Sequence, residues 1–376
     1  MLLVGVALLK VVQSGGYGSD TEEEEKEVHK VLLMLKAPAA GQSMSSHDSL
    51  KAFFVQGLFV PVAASASLSY HIRCSALRHP ARPAPLPLPF CFFCEVIMIR
   101  VDLHTHTNHS HARDSVRQMF EAGQAKGLKV QGFSEHSPRP LGYDYPVEYR
   151  DHLSATFEDY IAEVRELKAE QAPRGITVLL GLEVDWLEDE LPYIRDMISA
   201  HEYDYLIAGI HFLGTWGFDA SADDWAPLSF EEKCALYERY YRTMTRMAET
   251  RLFHIVAHPD LIKIFSVDDF DRWLDCPGSM ELVRTALTAV RDAGMAMEIS
   301  IAGTRKPCRE IYPGPRILRL ARELGLSITF ASDSHATEQV AWNFEELARY
   351  AAAEGWTESL VFSREGVKTM PFVDEL

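Results

Sequence analysis

Histidine and acidic residues stand at a few points of the sequence in pairs whose spacing suits metal binding. His104 and His106 are two residues apart, and Asp333 and His335 repeat that spacing near the end of the chain. Side chains alternate across a strand, so residues two apart point to the same side. Imidazoles and carboxylates that share a face can bind one divalent ion, and such mixed ligands suit Zn, Mn or Fe. The spacing therefore predicts metal-dependent chemistry.

More residues of the same types stand where short apolar runs end. They are His136, Glu183, His211 and His258. The apolar runs predict strands at 99–104, 130–135, 176–184, 205–211, 253–258, 295–300 and 327–332. Amphipathic stretches between them predict helices near 115–126, 155–171, 189–200, 231–250, 280–293, 315–324 and 337–354.

Strands that alternate with helices in this way predict right-handed β–α–β units and therefore an α/β fold with a parallel sheet. About seven repeats favour a closed or nearly closed barrel over an open sheet. The chemistry of such barrels lies at the C-terminal ends of the strands. Because the candidate ligands stand at those ends, we predict a polynuclear metal site at the mouth of the barrel.

The first 97 residues have a different character. They include an acidic run, TEEEEKE, and a proline-rich segment, HPARPAPLPLPF, in which alternate prolines oppose both helix and sheet pairing. We expect residues 1–97 to be a low-complexity, largely disordered extension or a mis-assigned start, with a small accessory domain as the alternative. The functional domain is expected at 98–376, since buried-strand character begins at Met98.

Composition excludes some classes of function. A formal net charge of −17 argues against a non-specific grip on nucleic acid, which needs clustered Lys and Arg. No stretch reaches the roughly 18 uninterrupted apolar residues that a membrane span requires. The 6 cysteines contain a single C-x-x-C pair, Cys91 and Cys94, with no second pair to complete a zinc site. Sparse cysteine of this kind is typical of a reducing cytoplasm, where we expect the protein to be located.

Six motifs resemble, in order, the motif series of the polymerase-and-histidinol-phosphatase (PHP) superfamily. They are DLHTHT, FSEHSP, GLEVD, HFLG, AHPDLIK and SDSH, and the resemblance covers nearly everything from Met98 to the end. Three connecting pieces, SEHSPRPLGYDYP, HFLGTWGFD and ISIAGTRKP, resemble the histidinol-phosphatase branch. The resemblance implies a distorted (β/α)7-type barrel around two or three divalent metals, Zn, Mn or Fe. It also implies hydrolysis of L-histidinol phosphate to L-histidinol and phosphate in histidine biosynthesis.

The same resemblance implies a set of metal ligands: His104, His106, His136, Glu183, His211, His258, Asp333 and His335. The first metal is expected to take His104, His106, Glu183 and Asp333. The second is expected to take His211 and His258 with Glu183 as a bridge, and the third His136 and His335. The chain departs from the family pattern at Ala112, where a further ligand is expected. His111 and Asp114 are the available substitutes, so occupancy of the third site is left open.

The expected chemistry is attack on a phosphate monoester by a metal-bound hydroxide, without a phospho-enzyme. Arg139, Arg305 and Lys306 are the candidate phosphate-binding residues, because cationic donors suit phosphoryl oxygens. Trp216 and Tyr143 are expected either to wall the pocket or to pack within loops.

The sequence is compatible with other functions to different degrees. A phosphatase acting on another ester, such as phosphotyrosine, and a non-catalytic binding protein on the same scaffold remain the alternatives. A nuclease is disfavoured because no basic, aromatic-lined path for a strand is present. An amidohydrolase is disfavoured because no suitable lysine closes a strand.

Overall fold

The computed structural model describes residues 96–144 and 147–374. Almost all of the predicted extension, 1–97, lies outside those residues. Its last two residues form strand β1, Val96–Ile97, which pairs antiparallel with β13, Val373–Asp374. No helix within the described ranges is long and apolar enough to cross a membrane.

A parallel sheet of seven strands forms the centre of the fold. In sheet order the strands are β10 Ile328–Ala331, β9 Ala296–Ser300, β8 Ile255–Val256, β5 Tyr205–Gly209, β4 Thr177–Asp185, β3 Val130–Phe133 and β2 Val101–Asp102. Each coincides with one of the predicted strands, and every pairing between neighbours is parallel. The predicted α/β class is confirmed.

Helices connect successive strands. They are α1 Val116–Ala125, α2 Val147–Gln171, α3 Leu191–Ser199, α4 Phe230–Glu249, α5 Val267–Leu274, α6 Ser279–Asp292, α7 Pro315–Glu323 and α8 Phe344–Ala353. Local sequence sets several of their starts. Ser115 and Ser229 each form a capping box with the residue three positions on. Pro315 opens α7, where its missing N–H is not needed.

Hydrogen bonds between the two edge strands of the sheet, β2 and β10, and the segments that follow them nearly close the sheet into a barrel. The amide of Leu103 donates to the Phe330 carbonyl at 3.2 Å, and that of His106 donates to Ser334 at 3.0 Å. Thr105 and Ser334 also form a parallel bridge. The barrel predicted from the alternation is therefore confirmed. This closure brings the segment after β2 beside the segment after β10.

A buried tyrosine supports the barrel from inside. The hydroxyl of Tyr205, on β5, donates to the Leu103 carbonyl at 2.6 Å. Its ring passes Gly181 and Gly132, where an added Cβ would lie 2.4 Å and 2.1 Å from atoms of that side chain. Glycine is needed at these strand positions because the aromatic ring occupies the space of a side chain.

Some elements differ from the predictions. The predicted helix 337–354 is broken into a 3-10 turn, Thr337–Gln339, and α8. Ala341 and Asn343, between the two, have left-handed backbone angles of 47° and 54°, which end helical continuity. Helix α5 and two hairpins were not predicted. The hairpins are β6 Phe212–Leu213 with β7 Trp216–Gly217, and β11 Glu358–Ser363 with β12 Gly366–Pro371.

Candidate metal centre

The structure gathers all the candidate ligands at the C-terminal mouth of the barrel. They come from the segments after β2, β3, β5, β8 and β10, and from the end of β4: His104, His106, His136, His211, His258, Asp333, His335 and Glu183. His335 is half-buried, and the others are buried. Residues far apart in sequence meet here because the C-terminal ends of parallel strands share one rim.

The two histidines that follow β2 face each other. The Nε2 atoms of His104 and His106 are 3.0 Å apart. Nδ1 of His104 lies 2.7 Å from Glu298 Oε2, and Nδ1 of His106 lies 3.0 Å from Glu135 Oε1. An Nδ1–H that donates to a carboxylate leaves the Nε2 lone pair directed into the mouth. Two lone pairs at this distance repel each other, so the arrangement suits a cation placed beside both.

The carboxylate of Glu183 lies among the imidazoles of five histidines. Its Oε2 is 3.3 Å from His104 Nε2, 3.5 Å from His106 Nε2 and 3.0 Å from His136 Nδ1. Its Oε1 is 3.1 Å from His258 Nε2 and 3.5 Å from His211 Nε2. The two oxygens thus face different histidines, which is the arrangement that a bridging carboxylate needs.

A buried ion pair fixes the orientation of His211. Its Nδ1 lies 2.6 Å from Asp185 Oδ1, and the other oxygen of Asp185 accepts from Arg139 Nε at 2.6 Å. Asp185 therefore holds the Nδ1 proton of His211 and leaves Nε2 to face Glu183.

A further cluster of imidazoles surrounds His106. The ring centroids of His335 and His136 lie 4.3 Å and 4.4 Å from that of His106. His111 joins them, with its ring 4.3 Å from His335 and 5.0 Å from His136. Of the two substitutes for the missing ligand at Ala112, His111 thus lies at the cluster.

Asp114 does not reach that cluster. Its carboxylate accepts from Arg113 and from the amide of Thr337 instead. The other histidines of the described ranges also have partners elsewhere. His109 faces Glu163, His152 the carbonyl of Asn108, His201 the carboxylate of Glu158, and His254 the amide of Leu206.

The electrostatics of the mouth favour positive charge. Burial would lower the pKa of His106, but hydrogen bonds to Asp333 and Glu135 raise it to about 9. Burial opposes protonation of His211 as well, yet Glu183 and Asp185 raise its pKa to about 9. Against the effect of burial, the neighbouring imidazoles hold the pKa of Glu183 well below its usual range. Paired carboxylates therefore make this a site where cations are stabilised.

The donor set fits divalent metal ions. Three groups of ligand atoms each lie within 4.8 Å of one another: His104, His106 and Asp333; His136, Glu183 and His211; and His106, His136 and His335. Nε2 of His335 is buried and has no hydrogen-bond partner among the described residues. Its Nδ1 lies 3.1 Å from the Asp333 carbonyl, so the lone pair of Nε2 points into the cluster. Such oriented, unpaired nitrogen atoms are what metal coordination requires.

The predicted substrate-binding residues are placed differently from one another. Arg139 and Lys306 line a cavity of about 540 Å³ that opens over the metal-ligand candidates. Arg305 is not among the residues that line it, and its Nη2 donates to the carbonyls of Ser332 and Asp333 at 2.7 Å and 3.0 Å. A contact between Arg305 and phosphate stays a prediction, and its hydrogen bonds favour another role.

The two aromatic residues proposed for the pocket wall do not line the cavity and pack against other aromatic rings instead. Tyr143 is buried edge-on against Phe212, and Trp216 contacts Phe218 and Trp225. Four apolar side chains line the cavity nonetheless: Leu153, Leu261, Ile264 and Phe265.

Three carboxylates behind the histidines were missed by sequence reasoning. Glu135 and Asp185 lie within quoted motifs but received no role, and Glu298 lies on β9, where no ligand was expected. The available signal was an acidic residue in an otherwise apolar strand. A charge there is costly to bury unless it has a partner.

Fold and site together define a metal-dependent enzyme built on a parallel β/α barrel. The family model described as the PHP domain matches residues 102–302. The chain belongs to the PHP domain family, and the predicted family is confirmed.

Individual relatives agree with this placement. A protein of Deinococcus radiodurans named "Probable histidinol-phosphatase" is 32% identical over 238 residues, which are 63% of this chain and 86% of the relative. A protein of Schizosaccharomyces pombe with the same name is 25% identical over 252 residues, 64% of this chain and 81% of the relative. The histidinol phosphate phosphatase of Lactococcus lactis, solved with zinc, L-histidinol and phosphate, has a TM-score of 0.57 at 19% identity. That match covers 72% of this chain and 98% of the solved one, and it supports the fold.

Proposed function

We propose that this protein is a cytoplasmic histidinol-phosphatase, which hydrolyses L-histidinol phosphate to L-histidinol and phosphate in histidine biosynthesis. The observation that carries the proposal is the histidine and carboxylate cluster around Glu183 at the floor of the cavity. The names of the two curated relatives support this choice of substrate.

The cluster would hold two or three divalent ions. We assign His104, His106, Asp333 and Glu183 to the first, and His211 and His258, with Glu183 as bridge, to the second. His136, His335 and His111 would hold the third. When bound, such ions activate water and neutralise charge on phosphoryl oxygens.

The side chains around the ions would bind and orient the ester. Lys306 lines the cavity beside Asp333 and His335, so its ammonium can approach a phosphate held there. Arg139 also lines the cavity, and its bond to Asp185 fixes the direction of its guanidinium.

The apolar side chains that line the cavity would receive the rest of the substrate. Leu153, Leu261, Ile264 and Phe265 offer apolar surface against which an imidazole ring can pack. A cavity of about 540 Å³ suits a small molecule. With a net charge of −17, the protein is poorly suited to hold a nucleic-acid strand.

Phosphate release by the full-length protein tests the proposal. The protein is loaded with Zn or Mn and supplied with L-histidinol phosphate, phosphotyrosine or a short DNA strand. We expect a strong preference for L-histidinol phosphate and loss of activity in Glu183→Gln. Preference for another ester would refute the substrate while keeping the site, and no release from any of the three would refute a phosphatase function.

A further inference from the structure

Arg305 makes contacts that bear on two of the proposed metal ligands. It ends the 3-10 turn Ile301–Arg305, which directly follows β9. From there its Nη2 reaches the segment after β10 and donates to the carbonyls of Ser332 and Asp333, at 2.7 Å and 3.0 Å. Its guanidinium also lies 5.8 Å from the ring centre of Trp342.

The segment that Arg305 holds has an unusual backbone. Asp333 has a φ of 46°, in the left-handed region that residues with a side chain rarely adopt. A strained residue of this kind persists only where its surroundings hold it in place. The φ and ψ angles of Asp333 lie between the carbonyl of Ser332 and the carbonyl of Asp333. Arg305 donates to both of these carbonyls and so fixes the backbone on each side of the strained angles. It is therefore placed to keep this conformation.

The backbone conformation in turn sets two donor atoms of the cluster. Asp333 Oδ1 lies 3.3 Å from His106 Nε2, a position that depends on the backbone of Asp333. The Asp333 carbonyl that accepts from Arg305 also lies 3.1 Å from His335 Nδ1. That contact directs Nε2 of His335 into the cluster.

We propose that Arg305 is a positioning residue that holds Asp333 and His335 in the conformation that binds metal, and that it does not bind the substrate phosphate. Its Nη1 is buried, with no hydrogen-bond partner among the described residues, so it does not present a donor to the open cavity. Lys306, the next residue, lines that cavity. The inference rests on the proposed metal centre and is independent of which ester is hydrolysed.

Zinc binding by Arg305→Met and Arg305→Lys, in the full-length protein, tests the proposal. Zinc stoichiometry is measured by elemental analysis and zinc affinity by competition with a chromophoric chelator. We expect Arg305→Met to lose about 10- to 100-fold in affinity for at least one zinc equivalent, as is usual when a group that orients a ligand is removed. Arg305→Lys should recover part of the loss, because an ammonium can donate to the carbonyls but lacks the planar fork.

Two comparisons separate this role from others. Arg322, on α7, has a guanidinium that lies 5.5 Å from the ring centre of Trp356. Arg322→Met removes this guanidinium and should leave zinc affinity unchanged. Inorganic phosphate binding to the zinc-loaded protein, measured by calorimetry, should be unchanged in Arg305→Lys once its zinc sites are filled. A merely structural role for Arg305 would lower thermal stability without changing the zinc affinity of the folded protein.

Zinc affinity equal to wild type in Arg305→Met would overturn the proposal, whether or not phosphate binding weakens. If Arg305→Met fails to fold, Arg305→Lys decides by the same measurement: reduced zinc affinity supports the proposal, and wild-type affinity overturns it. Zinc titration uses no substrate, so failure of the proposed histidinol-phosphatase activity would be seen separately.

Discussion

Glu298 is the position where the support of the candidate metal ligands can be perturbed most cleanly. Its Oε2 lies 2.7 Å from His104 Nδ1, and its Oε1 accepts from the amide of His258 at 3.2 Å. One buried carboxylate thus serves two candidate ligands. Glu298→Gln keeps the volume of the side chain and replaces one acceptor oxygen by an NH2 group, which can only donate.

Both groups that face Glu298 are donors, so glutamine can satisfy only one of them. Either the amide of His258 or Nδ1–H of His104 must then face an NH2 group. Leaving a buried donor without an acceptor costs about 1–3 kcal/mol. In the metal-free protein His104 can take its other tautomer and accept from the NH2 group, but a metal on Nε2 requires the proton on Nδ1, so the zinc-bound state bears this cost. Because a tenfold change in binding corresponds to about 1.4 kcal/mol, zinc affinity should fall about 10- to 100-fold.

Zinc affinity is measured by competition with a chelator, and thermal unfolding of the metal-free protein is recorded alongside. Asp204→Asn is a matched control. Asp204 is a buried carboxylate that accepts from the amide of Leu180 and from Lys168. It lies directly before β5, at the end of the barrel away from the mouth. The control should lower thermal stability and leave zinc affinity intact. Wild-type zinc affinity in Glu298→Gln, or an equal loss in the control, would refute this reasoning.

Three other perturbations have defined outcomes. Lys306→Met should raise KM for the phosphate ester about 10-fold or more with zinc content unchanged, because a charged hydrogen bond is worth about 1.5–3 kcal/mol; an unchanged KM would exclude this contact. Gly181→Ala should reduce the free energy of unfolding in urea by about 1–3 kcal/mol, because its Cβ would lie 2.4 Å from the Tyr205 ring; wild-type stability would show that the ring can move. Burial lowers the pKa of His254, so the unfolded chain binds a proton that the folded protein resists. Stability from this group is complete above the usual histidine pKa of about 6.5 and is lost as the pH falls, by at most about 1.4 kcal/mol per pH unit. His254→Asn should flatten that dependence between about pH 6.5 and 5, and an unchanged slope would contradict the assignment.

The strands and the location of the site could be predicted from the sequence because both follow from simple periodicities. Apolar runs such as 205–211 read as buried strands, and the candidate ligands stand at their ends. Parallel connectivity then places those ends on one rim, so His104 and Asp333 meet although more than 200 residues separate them.

What could not be predicted depends on contacts between distant residues. Nothing in the sequence around Glu298 pairs it with His104, and Arg305 reads equally well as a phosphate ligand or as a partner for backbone carbonyls. The break after Gln339 depends on left-handed backbone at Ala341 and Asn343, neither of which is glycine. These features escape prediction because contacts between distant residues override local sequence preference.

Diffraction from zinc-loaded crystals, with anomalous data at the zinc edge, tests the central claim most directly. We predict two or three peaks at the mouth of the barrel. The Nε2 atoms of His104 and His106 should lie about 2.0–2.1 Å from the first, with Glu183 between neighbouring peaks. A mouth without a zinc peak, or zinc held only by residues outside the proposed set, would contradict the account.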